Sequence, residues 1–303
     1  RPAVALPSGV ICDTSLAQCV SSGVHVGEEA GRLRQRLERA QKRSVVVGEG
    51  TNRHQPSALP HVLDDRRPMG IGDVRQAIQL DDVTVVGRLK QTGQALRLNF
   101  GSSGNFRRQI AQGAPFELFL SADEGFVQAL YDEGYVDNAG VIYARGRLAW
   151  VQPAGRYSVP SEQAPLAGVQ EAITAWEEGQ RLRIAIASPE HAPYGMAARD
   201  VLQKAGLWEA SEPLRVQGEN VSQAMQFALS DEARGGLVAY SLAVAPALAE
   251  RSEAVLMPET WYTPLRQRMV LTPQAGEVAH AFYEWLQQED AKAIFETHGF
   301  STD

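Results

Sequence analysis

The sequence holds only two cysteines, Cys12 and Cys19, among 303 residues. Two thiols cannot build a disulfide framework, and they stand in no Cys/His pattern that would hold a metal, so they leave the compartment open. No stretch approaches the ~18 consecutive apolar residues of a membrane-spanning helix, which argues against a helical membrane protein. Aromatic residues make up only 7% and are not interleaved with basic ones, so no base-stacking surface is expected and nucleic acid is set aside as a partner. Signatures of catalysis are missing as well. There is no Gly-x-Ser-x-Gly elbow, no His-Glu-x-x-His and no Walker loop, and Gly70-x-Gly72 is an isolated glycine pair. The six histidines are scattered, and no enzymatic activity is expected. The chain opens on Arg1, and its first 25 residues lack the basic-then-apolar order of a secretory signal. That start reads as a processed form, a fragment or a chain that is never exported.

What is present is enough apolar material, 44% of residues, to fill a large core or two ordinary ones. The net charge of −7 is unevenly spread: residues 1–93 carry 13 Lys/Arg against 10 Asp/Glu, and residues 94–303 carry 16 against 26. From residue 94 onward, strand and helix patterns alternate. Strands are predicted at residues 96–100, 115–120, 147–152, 182–187, 237–240, 254–257 and 267–271. Helices are predicted from Phe106, after Asp123 with Phe126, Ala129 and Leu130 on the apolar face, at residues 195–205 and 221–229, and in one stretch from Glu277 to Phe295. Such alternation predicts α/β architecture with mainly parallel sheets.

Residues 1–91 read differently. An amphipathic helix is predicted over residues 28–43 and a strand at 44–47, whereas residues 48–70 hold three prolines and three glycines without apolar periodicity. This segment is expected to be atypical: disordered, a real extension that supplies a strand in an unusual way, or the product of a mistranslated or rearranged start, the last being favoured.

Three segments share one physical feature, a turn of small or donor-bearing residues opening a helix. They are Gly101-Ser102-Ser103-Gly104, Ala192-Pro193-Tyr194-Gly195 and Glu219-Asn220-Val221. A helix start leaves backbone N–H groups without partners and carries roughly half a positive charge, so three converging starts would form an anion site without Lys or Arg. Alone, a Gly-Ser-Ser-Gly turn is far more often an ordinary helix cap than a ligand site, Tyr194 reads equally well as a packed loop aromatic, and Val221 reads as core. His191, between Glu190 and Ala192, reads as a surface residue.

The order of these turns, together with the blocks "LRLNFGSSGNFRRQIAQGAPFELFLSADEGF", "IASPEHAPYGMAARDVLQKAGL", "GENVSQAM" and "YTPLRQRMVLT", resembles the periplasmic molybdate-binding proteins of ABC importers over about residues 92–300. The resemblance implies a two-lobed, type II periplasmic-binding-protein fold with two hinge crossings. Lobe one would comprise residues 92–146 plus 265–303 and lobe two residues 147–264. It implies capture of molybdate or tungstate for delivery to a permease, by a periplasmic monomer without a cofactor. The alternatives are another tetrahedral oxyanion, such as sulfate or phosphonate, or a non-functional fragment. Carried over by position, Ser103 would donate through its hydroxyl and backbone, and Tyr194 and Val221 through backbone N–H groups, with Ser102 and Asn220 beside them. Tyr240 would be structural. The family's first strand, its ligand loop and the helix that follows have no recognisable counterpart here. Residues 44–47 and 83–86 are the candidate strands, and Thr51 and Asn52 have the right side chains for the missing ligands.

Overall fold

The computed structural model describes Ser8–Asp13 and residues 96–302. These form two five-stranded sheets. The first runs in the order β2 (Leu96–Gly101), β1 (Ser8–Asp13), β3 (Leu118–Ser121), β10 (Leu265–Leu271), β4 (Val141–Gly146). The second runs β7 (Arg215–Gly218), β6 (Arg183–Ala187), β8 (Ala233–Ala239), β5 (Leu148–Pro153), β9 (Ser252–Leu256). Both follow one plan: three parallel strands, then a fourth that runs antiparallel to both its neighbours.

In each sheet the antiparallel strand is the one delivered by a crossing. Strand β5 enters the second sheet directly from β4 through Arg147, and β10 returns to the first sheet once β9 is complete. The molecule is therefore an α/β protein of two lobes joined by two crossings.

The strand that seemed missing from the first lobe is β1. It lies between β2 and β3, parallel to both, with Val10 opposite Leu98 and Leu118. Residues 44–47 and 83–86, the strand candidates in sequence, lie outside the described residues, as do Thr51, Asn52 and the rest of residues 14–91.

Alternation along the strands sorts side chains onto two faces, and each face of the first sheet is covered. Leu118, Leu120 and Met269 pack with Phe282 of α8 (Glu277–Trp285), Leu286 at its C-terminal cap and Phe295 of α9 (Glu289–Thr297). Phe119 and Val270 point the other way, onto Phe106 and Ile110 of α1 (Ser103–Ala111) and Val127 and Leu130 of α2 (Glu124–Asp132). Burying each such side chain contributes about 1.5–3 kcal/mol.

The second lobe has one large core. It is built on Trp150, Ile184, Ile186 and Leu237 and covered by α3 (Ala167–Glu177), α4 (Pro193–Lys204) and α5 (Val221–Ala228). Two short turns of helix, α6 (Tyr240–Ala243) and α7 (Pro246–Ala249), link β8 to β9.

Candidate functional site

Helices α1, α4 and α5 each begin just beyond the carboxyl end of a parallel strand, β2, β6 and β7 respectively. The crevice at such strand ends is where open α/β sheets place their ligands. The first helical residues, Ser103, Pro193 and Val221, mark where backbone N–H groups point out of the helix. Tyr194 lies one residue inside α4.

One histidine draws the three starts together. The Gly104 N–H donates to the His191 carbonyl at 3.0 Å, which joins α1 of the first lobe to the loop before α4 of the second. The His191 ring then bridges to the loop before α5. Its Nε2 lies 3.2 Å from the Glu219 carbonyl oxygen and 3.3 Å from the Glu219 carboxylate, and its Nδ1 lies 3.2 Å from Ser188 Oγ. A ring protonated on Nε2 satisfies all of these, donating to Glu219 and accepting from Ser188. The side chain is 17% exposed, half-buried between the loops rather than extended into solvent as a surface histidine would be. Its neighbours in sequence gave no sign that the chain folds its ring inward. The Ser188-to-His191 spacing within one tight loop was the signal available.

Ser102 caps α1 by position but not by side chain. Its hydroxyl is fully enclosed and has no hydrogen-bond partner among the described residues. A buried hydroxyl left in that state costs about 1–3 kcal/mol, so an acceptor brought to it would be stabilised there. Ser103 is completely buried, and its Oγ accepts from the Ala122 N–H at 3.0 Å, which ties the turn to the end of β3. Val221 is buried at the first position of α5. The Asn220 side-chain oxygen accepts from the Gln223 N–H at 3.0 Å, so it serves as the α5 cap. Tyr194 is buried, and its phenol oxygen accepts from Gln267 Nε2 at 3.2 Å.

The three turns, residues 101–104, 192–195 and 219–221, contain no Lys or Arg. What they offer is hydroxyl and amide donors plus three helix dipoles, while the one carboxylate among them, Glu219, lies against the His191 ring. Beside them, Asp123 accepts from the Gly125 N–H at 2.7 Å as the α2 cap. Burial raises its pKa, with backbone hydrogen bonds from Gly125 and Phe126 opposing the shift. No group of His, Cys, Asp and Glu among the described residues could hold a metal ion. Tyr240 sits at the hinge, its N–H donating to the Arg147 carbonyl at 2.9 Å and its ring lying under the Arg147 guanidinium.

Residues 89–301 match the family of bacterial extracellular solute-binding proteins. The chain is 34% identical over 262 residues to the molybdate-binding protein ModA of Rhodobacter capsulatus, covering 84% of this chain and 98% of that protein. The periplasmic molybdate-binding protein of Azotobacter vinelandii superposes with a TM-score of 0.61 at 28% identity, covering 77% of this chain and 95% of that one. The sulfate-binding protein SubI of Mycobacterium tuberculosis shares the fold alone, with a TM-score of 0.53 at 14% identity. This is the type II periplasmic-binding-protein architecture, and the proteins that carry it here transport solutes rather than catalyse reactions. By family match and by fold, the chain belongs to the bacterial extracellular solute-binding proteins.

Proposed function

We propose that the chain captures molybdate, or tungstate, between its lobes and delivers it to the permease of an ABC importer. The observation that carries this reading is the enclosed Ser102 hydroxyl beside Ser103, at one of three helix starts that His191 draws together without a cationic side chain in their turns. A fully ionised dianion has acceptors on every face and no proton of its own, so a donor-only site suits it and disfavours protonated anions. Direct contacts would come from Ser103, Tyr194 N–H and Val221 N–H, with Ser102 and Asn220 lining the turns. The relatives named for molybdate support the choice of anion. The oxyanion is cargo, and no cofactor takes part.

The working compartment is the periplasm, in line with the extracellular family, and no helix among the described residues is long and apolar enough to cross a membrane. The protein acts as a monomer. A chain of net charge −7 has no general attraction for nucleic acid.

Calorimetric titration with molybdate, tungstate and sulfate tests the reading. One-to-one binding of the first two with little response to sulfate is expected. Ser103→Ala should weaken molybdate binding by about 1.5–3 kcal/mol, a roughly 10- to 150-fold higher Kd. Preference for sulfate, or an unchanged Kd in that variant, would contradict it.

A further inference from the structure

Tyr194 connects the proposed anion site to the hinge through its side chain, a part that a backbone donor does not need. The phenol oxygen accepts from Gln267 Nε2 at 3.2 Å, and Gln267 Oε1 in turn accepts from the Tyr143 hydroxyl at 2.7 Å. All three side chains are buried, Gln267 completely. They belong to different parts of the machine: Tyr194 to the start of α4 in the second lobe, Tyr143 to β4, and Gln267 to β10, the strand delivered by the second crossing.

Two independent features show that the backbone is shaped around this chain of hydrogen bonds. The β10–β4 register breaks between Gln267 and Arg268, a bulge of the kind that re-aims a side chain. Gly146, the last residue of β4 before the first crossing, has no side chain where one would collide. A Cβ there would stand 2.2 Å from Tyr194 Oη and 2.7 Å from Gln267 Nε2. The phenol therefore reaches the crossing only because position 146 is glycine. A buried amide between two phenols is stable only while every member keeps its partner. Because Tyr194 and Gln267 belong to different lobes, an opening that parts them would break the chain at that link.

We infer that Tyr194–Gln267–Tyr143 is a relay coupling the occupancy of the α4 start to lobe closure, with Tyr194 as a positioning residue whose phenol holds the closed state. The inference rests on the anion reading for its ligand and on the hinge geometry for its mechanism.

Stopped-flow release of molybdate, followed by tryptophan fluorescence, and solution X-ray scattering of the ligand-free chain test it together. Tyr194→Phe keeps the backbone N–H and the ring. It should speed release by about 3- to 10-fold, the effect of one lost buried hydrogen bond, with association little changed. Tyr143→Phe should act in the same sense, and the double variant should show less than the product of the two, because either change cuts the same relay. Tyr283→Phe, on α8 away from the cleft, is the control. Gly146→Ala should leave the ligand-free protein expanded. Wild-type release in both phenylalanine variants, or lower thermal stability without faster release, would overturn the relay. If the parent chain bound no molybdate, the anion reading would fail. The relay would then be judged by scattering, and an unexpanded Gly146→Ala variant would overturn it.

Discussion

At Gly104 the absence of a methyl group lets the lobes touch. A Cβ there would lie 2.8 Å from the His191 carbonyl oxygen and 3.0 Å from its Cα, and backbone atoms cannot swing aside. Gly104→Ala should hold the lobes apart and raise the Kd for molybdate about tenfold or more, ~1.4 kcal/mol per decade, with little change in ligand-free stability; paired titration and thermal unfolding check this. At Asp123 the sign of the pH effect follows from its raised pKa. Burial favours the neutral carboxyl, so its contribution to stability is fully present below the ordinary aspartate value of 3.8 and is lost as pH rises through the higher folded value. Asp123→Asn keeps the cap acceptor and removes the desolvated charge. It should flatten stability across that acid window without loss at neutral pH. Asp123→Ala should cost about 0.5–2 kcal/mol through the lost cap. Urea unfolding at several pH values separates the two. Asp123 was legible as a cap because an acidic residue preceded an apolar face at helical spacing. His191 was not, because its role comes from the loops that meet around its ring.

Among the elements, those with strong local punctuation were readable. Pro193 at the first turn of α4 and Asn220 at the cap of α5 announced the two helix starts of the second lobe. Elements without such signals were missed. Helix α3 follows Leu166, which makes no side-chain cap, and β7 is four residues long and mostly half-buried. The predicted stretch from Glu277 to Phe295 is two helices, since Gln288 is extended and interrupts it. Strand β8 begins earlier than predicted, at Ala233, because Gly235 and Gly236 weaken its apolar pattern. The six residues of β1 carry little local signal, and only their pairing with β2, some 88 positions along in register, reveals them. That pairing makes a sharp prediction. Proline has no N–H for a ladder and is not tolerated in a central strand, so Ile11→Pro should unfold the first sheet. Hydrogen exchange should then show β2 and β3 unprotected and β6 still protected. Retained protection in β2 would mean that β1 is dispensable.

On the scale of the whole molecule, the same strand plan occurs twice, and the two copies exchange one strand each through the crossings. Closure brings the helix starts of one lobe against those of the other, so a ligand held by both would stabilise the closed form by its differential affinity for it. A chain of net charge −7 does not attract a dianion at long range. On the proposed reading the attraction is local, from hydroxyls, amides and helix dipoles between the lobes. The alternation of strands and helices and the order of the three turns were visible in sequence. Their convergence was not, since it depends on loops from both lobes meeting at His191.

Diffraction from crystals grown with tungstate, recorded at the tungsten absorption edge, tests the central claim most directly. The account predicts one anomalous peak per chain, between the lobes, with oxygen atoms in hydrogen-bond reach of Ser103 and of the Tyr194 and Val221 N–H groups. A peak elsewhere on the surface, or none in a closed and folded chain, would contradict it.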